Sequence, residues 1–279
     1  MSARGVLGAV AAVLAFYGAV VAVTFLLAVA IPTSWLMGTW GLVVATVPVV
    51  VACAAVNGVL VWKGWATWGT LGWRGLRQDA AALLGGTLVG GAMVVVALAL
   101  AFAGGARLEI TGEPFSAYLR VAFPIAAGLL IAALAEELLF RGFPLMRLAR
   151  ALGKFRASLG LAVLFACAHL WNPDVSLLGL VNIGLASLVL SIAFFTPGGL
   201  PLAWGVHVGW NGGLALGADA PVSGLTFDIP VLEFFSGRAG WLTGGAFGPE
   251  GGIAASVALV GALIWLKPRV AWAGEEAGI

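Results

Sequence analysis

VAFPIAAGLLIAALAEELLFRG, residues 121–142, decides the fold. The stretch from Val121 to Ala135 carries no charge. With the residues just before it, the run reaches the roughly 20 residues that a helix needs to cross a bilayer. At its end stand two adjacent carboxylates, Glu136 and Glu137, with Arg141 four residues beyond the second. A transmembrane helix that ends on such a doublet must have a use for it, because an ionisable group inside a span costs roughly 2.5–3.5 kcal/mol on insertion scales.

The rest of the chain is of the same kind. Of 279 residues, 62% are hydrophobic and only 9% are charged, against roughly a quarter charged in soluble domains. The chain therefore reads as an all-α, polytopic membrane bundle. A formal charge of +2 argues against nucleic acid as a partner; the bilayer itself is one. The 41 glycines suit close helix packing in lipid. Cys53 and Cys167 both fall within apolar runs and suggest neither a disulfide framework nor a metal cluster.

Apolar runs place spans at 6–31, 40–62, 80–103, 116–140, 157–170, 175–195, 200–216 and 251–266. Several of the later ones are short enough to tilt, break or merge. The first run is longer than a signal-peptide core and reads as an uncleaved span closed by Pro32. Between the second and third spans, KGWATWGTLGWRGLRQDA (63–80) has the tryptophans and arginines of an interfacial segment. The organisation expected is one integral membrane domain: N-terminal helices over 1–104, a catalytic helix bundle over 105–270 and a short tail over 271–279. Basic residues fix the orientation. Arg141, Arg147, Arg150, Lys154 and Arg156 share one loop without an acid, and Lys63, Arg74, Arg77, Lys267 and Arg269 fall on the same side of an eight-span path. Both termini are then cytoplasmic. The opposite loops are mainly acidic, with Glu109, Glu113, Asp174, Asp219, Asp228, Glu233 and Glu250.

The ionisable groups that stand out within the spans are Glu136, Glu137, His169 and His207, with Arg141 at an edge and Asn182 and Asn211 as notable neutral partners. Residues four apart share a helix face, so Arg141 can neutralise Glu137. Glu136 points about 100° away and keeps its carboxylate free. Phe165 and His169 share a face of the fifth span; His207 and Asn211 share one of the seventh. On the eight-span path, Glu136 and both histidines fall in the cytoplasmic half or near the midplane. A carboxylate and a histidine beside one water make a general-base pair. A second histidine and an amide make donors for a developing oxyanion. The same residues are also compatible with a bound metal or with a proton path in a transporter.

Three blocks in order, EELLFR (136–141), FACAH (165–169) and HVGWN (207–211), resemble the CPBP intramembrane proteases. That family includes the type II CaaX prenyl endopeptidases and bacterial relatives tied to bacteriocin immunity and peptide processing. The likeness covers residues 116–215. VSG (222–224) and WLTGGAFGPEGG (241–252) are similar to a bacterial subgroup. The resemblance implies that Glu136 and His169 activate a water, that His207 and Asn211 form the oxyanion hole, and that Glu137, Arg141 and Phe165 support them. It implies a glutamic mechanism without a cofactor, or alternatively a divalent metal such as zinc on Glu136, His169 and His207. The implied partner is a peptide or membrane-protein substrate. The Ala- and Gly-rich composition reads as bacterial, hence an inner membrane, and argues against prenylated CaaX substrates. Two further readings stand beside the protease: a non-catalytic immunity or scaffold protein on the same fold, and a proton-coupled transporter.

Overall fold

The computed structural model describes residues 3–269. Each apolar run becomes a helix, because a backbone in lipid must satisfy its own hydrogen bonds. The chain runs α1 (Ala3–Ala28), α2 (Thr33–Leu36), α3 (Gly41–Trp62), α4 (Leu76–Ala103), β1 (Arg107–Ile110), α5 (Phe115–Phe140), α6 (Phe143–Leu152), α7 (Lys154–Ala168), α8 (Leu177–Phe194), α9 (Gly199–Ala218), β2 (Leu232–Phe235), α10 (Gly240–Thr243) and α11 (Ile253–Leu266). All eight expected spans fall on a helix. The tail read at 271–279 lies outside the described residues.

Among the described residues, five stretches are long and apolar enough to cross a membrane: α1, α3, α4, the α5–α6 stretch Phe115–Leu152, and α8. Helices α7 and α11 are shorter, at 15 and 14 residues, and α9 carries His207, Asn211 and two tryptophans along its length. Large apolar side chains face outward on most of these helices, among them Phe25, Leu88, Phe123, Val163 and Ile264. Lipid, rather than water, is the solvent such a surface suits. The chain is a multi-pass membrane protein.

Helix α4 starts at Leu76, earlier than residue 80, because Asp79 reaches back to accept from the Arg74 and Gly75 backbone N–H groups at 3.0 and 3.1 Å. The segment before it is a set of turns. Trp65 and Trp68 lie on its outside, while Leu71 is buried and the Gly72 carbonyl accepts from the Leu200 N–H at 3.2 Å. A Cβ on Gly72 would stand 2.7 Å from that nitrogen. The turns thus clip onto the start of α9.

Helix α9 is the inner wall of the bundle, packed against α4, α5 and α8. Its contact with α4 is backbone on backbone. A Cβ at Gly86 or Gly90 would meet the Leu202 or Val206 carbonyl at 2.3 or 2.1 Å, and one at Gly205 or Gly209 would meet the Leu83 or Thr87 carbonyl at 2.1 or 2.2 Å. These are two glycine pairs spaced four apart on facing helices, the spacing that lets backbones approach in membranes.

A short antiparallel ribbon is the departure from an all-α reading. Strand β1 pairs with β2 in the register Arg107↔Phe235 through Ile110↔Leu232. Glu109 and Glu233 face each other across it, an unfavourable pairing. Arg107 offsets it by bonding Glu109 at 2.5 Å and lying over the Phe235 ring at 4.3 Å. Beyond α9 the chain runs irregularly to α11 through tight turns. Gly244, at φ +92°, is one that only glycine fills, since a Cβ there would lie 1.7 Å from the Gly248 carbonyl oxygen.

Candidate active site

The end of α5 separates the two glutamates. Glu137 is fully buried and pairs with Arg141, itself 1% exposed, at 3.3 Å. Arg141 is the residue that ends α5, and its N–H still bonds the Glu137 carbonyl at 2.8 Å. Its guanidinium also donates to the Ser187 hydroxyl on α8 at 3.0 Å and stacks 4.6 Å from the Phe165 ring. A buried arginine with a carboxylate, a hydroxyl and an aromatic face around it is well compensated. It stands at the end of the helix, where the sequence puts it, and is buried there.

Glu137 has a second partner that the sequence did not reveal. Its Oε1 accepts from His207 Nδ1 on α9 at 2.8 Å. The carboxylate beside Arg141 cannot donate, so Nδ1 carries the proton. The ring is thereby fixed with Nε2 turned toward Glu136, whose Oε2 is 3.8 Å away. The two carboxylates consequently bracket one imidazole.

Glu136 differs from its neighbour in access. A third of its side chain (33%) is exposed, against none of Glu137. Its Oε2 accepts no hydrogen bond from the described residues. It lines a cavity of about 480 Å³, and His169, His207, Asn211 and Phe165 line the same cavity. All four residues that sequence reading nominated for chemistry, and the supporting Phe165, therefore meet in one place. Glu137 and Arg141 stand behind the wall.

His169 arrives there because α7 ends on it. Its Nδ1 lies 2.7 Å from the Phe165 carbonyl, which only accepts, so Nδ1–H donates and Nε2 is the ring nitrogen left for another partner. The Phe165 ring lies between the two histidines, 4.7 Å from His169 and 6.3 Å from His207. Most of the remaining wall is aliphatic, including Leu42, Met93, Leu129, Ile183, Val189 and Leu259. Apolar walls of this kind lower the local dielectric and strengthen the electrostatics beside them.

One residue of the site went unrecognised in the sequence. Glu250, counted there with the outer acids, is 7% exposed and lines the cavity. Its Oε1 accepts from Trp210 Nε1 at 2.8 Å, and its Oε2 accepts from the Ser223 hydroxyl at 2.8 Å and from the Ser223 N–H. Asn182 on α8 donates to the Glu250 and Gly252 carbonyls at 2.7 and 2.9 Å. The irregular segment after α9 is thus tied into the bundle beside Asn211. The available signal was an isolated acid within a glycine-rich run, GPEGG.

Among the described residues no three His, Cys, Asp or Glu side chains gather in a geometry that would hold an ion. Glu136, His169 and His207 line one cavity, and each histidine has its Nδ1 engaged by a carbonyl or a carboxylate, which leaves its Nε2 as the atom that faces a ligand.

Residues 118–213 match the family model described as Type II CAAX prenyl endopeptidase Rce1-like. The match lies on the α5–α9 segment, and it takes in Glu136, Glu137, Arg141, Phe165, His169, His207 and Asn211 but not Glu250. The matched model is one of endopeptidases. No curated protein and no solved structure matches the chain.

Proposed function

We propose that the chain is an intramembrane endopeptidase in which Glu136 activates a water against a peptide bond. The observation that carries this reading is the division of labour in the doublet. Glu137 is fully buried and committed through Oε1 to Arg141 and His207, whereas Glu136 is a third exposed and lines the cavity, its Oε2 3.8 Å from His207 Nε2.

Glu136 takes a proton from the water as its oxygen attacks the carbonyl carbon. The lone pair on His169 Nε2 orients that water. The oxyanion that forms is stabilised by the Asn211 amide and by His207, which as an imidazolium held on Glu137 donates from Nε2. Glu136 then returns its proton to the amide nitrogen as the C–N bond breaks, leaving a carboxyl and an amine. Glu137 and Arg141 position His207. Glu250 positions Trp210, the neighbour of Asn211, through the bond described above. No step needs a metal. On the eight-span path with cytoplasmic termini, cleavage falls toward the cytoplasmic side, on a membrane protein or a membrane-associated peptide.

The test uses the purified protein in liposomes with a detergent-free extract of bacterial membrane peptides, read by mass spectrometry for new C-termini. The wild type generates them, and His169→Ala, His207→Ala and Asn211→Ala lower the yield by about 100-fold or more. Chelators leave the wild type unchanged. A stoichiometric metal lost together with activity on chelation would replace the glutamic mechanism.

A further inference from the structure

A second cavity, of about 280 Å³, lies where α6 meets α1 and the turns before α4. Arg147 and Arg150 line it from α6, Ala12 from α1, and Trp65 and Thr70 from the turns, with Phe143 among the floor residues. None of its lining residues is acidic. Nothing in the proteolytic site uses it.

Three features give it a chemistry. The arginines are three apart and share a face of the helix. Both are exposed, and neither forms an ion pair among the described residues. The floor is apolar, closed by Phe143 packing on Phe16 of α1 with ring centroids 5.4 Å apart. The rim carries the indole of Trp65, a side chain that favours the headgroup level of a bilayer. Two guanidinium forks over an apolar floor match a phosphate that carries acyl chains, since guanidinium binds phosphate oxygens in pairs. A free anion would use only the rim.

The geometry points to a binding site for the headgroup of an anionic phospholipid, seated between Arg147 and Arg150 with its chains against the Phe143 side of the cavity. The site is separate from the proteolytic cavity, and its test reads binding, so it stands or falls independently of cleavage.

The experiment is native mass spectrometry of the purified full chain with palmitoyl-oleoyl phosphatidylglycerol, with the phosphatidylcholine of the same chains, and with inorganic phosphate. The wild type retains phosphatidylglycerol over phosphatidylcholine. The double variant Arg147→Gln/Arg150→Gln loses about tenfold or more of that retention, in line with the attraction of each basic group near a membrane surface. An Arg120→Gln/Arg156→Gln variant removes the same charge from residues that do not line the cavity and retains the lipid as the wild type does. If the first double variant does not purify, Arg150→Gln alone serves, with a smaller loss expected. Equal retention of the two lipids, equal loss in both double variants, or retention unchanged by removal of Arg147 and Arg150 would overturn the proposal. So would inorganic phosphate displacing the lipid at equal concentration, which would make the site one for a free anion.

Discussion

At the residue scale, adjacent glutamates have opposite environments because a one-residue step turns a helix by about 100°. That much was legible from EELLFR, and so was the pairing of Glu137 with Arg141 four residues on. The bond from His207 to Glu137 was not. It joins positions 70 apart in the chain and exists only because α9 packs on α5. The same limit hid Glu250, whose partners Trp210 and Ser223 lie on other segments. Glu137→Gln leaves Arg141 buried without a counter-charge and frees the His207 ring. Breaking a buried pair this way costs about 3–5 kcal/mol. The expected result is a clearly lower melting temperature in detergent together with lower kcat. A variant as stable as the wild type would contradict the ion pair's role.

At the element scale, apolar length made the helices legible, whereas their ends depend on local chemistry such as the Asp79 bonds that start α4. The β1–β2 ribbon escaped because each strand has only four residues and the partners are far apart in sequence. The α4–α9 glycine contact makes a sharp prediction. Gly90→Val must push α9 away, since even a Cβ would meet the Val206 carbonyl at 2.1 Å. Both melting temperature and cleavage then fall. Gly91→Ala has nothing within 4 Å and is neutral or stabilising by up to about 1 kcal/mol, from helix propensity. Equal effects of the two would remove the contact from the account.

A second element-scale prediction concerns the turn after α9. Asp219 accepts from the Ile229 N–H at 2.9 Å. Burial pushes its carboxyl above the ordinary value, against that hydrogen bond, and Asp228 and Glu233 add to the rise. The folded chain therefore holds this proton more tightly than the unfolded chain. The associated stability is full below the ordinary carboxylate value and is lost as pH rises through the raised one. Asp219→Asn keeps an acceptor and should raise the melting temperature at pH 7 relative to the wild type, with the difference vanishing near pH 4. A difference independent of pH would show that the charge is not what matters.

At the scale of the whole molecule, helices α1, α3 and α4 lie outside the matched domain yet share its main core, which runs from Phe16 and Cys53 through Met93 to Phe165 and Leu259. The outward apolar faces and the buried polar cluster were both expected from composition, since lipid demands the first and a site requires the second. The path of the short helices is set by packing, which composition does not encode. On the eight-span path, and with Cys53 and Cys167 replaced by alanine, Arg156→Cys is labelled by a membrane-impermeant maleimide from the cytoplasmic side only, and Glu113→Cys from the opposite side only. Labelling of both from one side would remove that topology.

The central claim is that Glu136 drives peptide-bond cleavage, and its most direct test compares membrane-derived peptides from cells making wild-type protein with those from cells making Glu136→Gln at equal abundance. The account predicts a set of cleavage products present with the wild type and reduced by about 100-fold or more in the variant. The same products at undiminished levels in Glu136→Gln cells would contradict it.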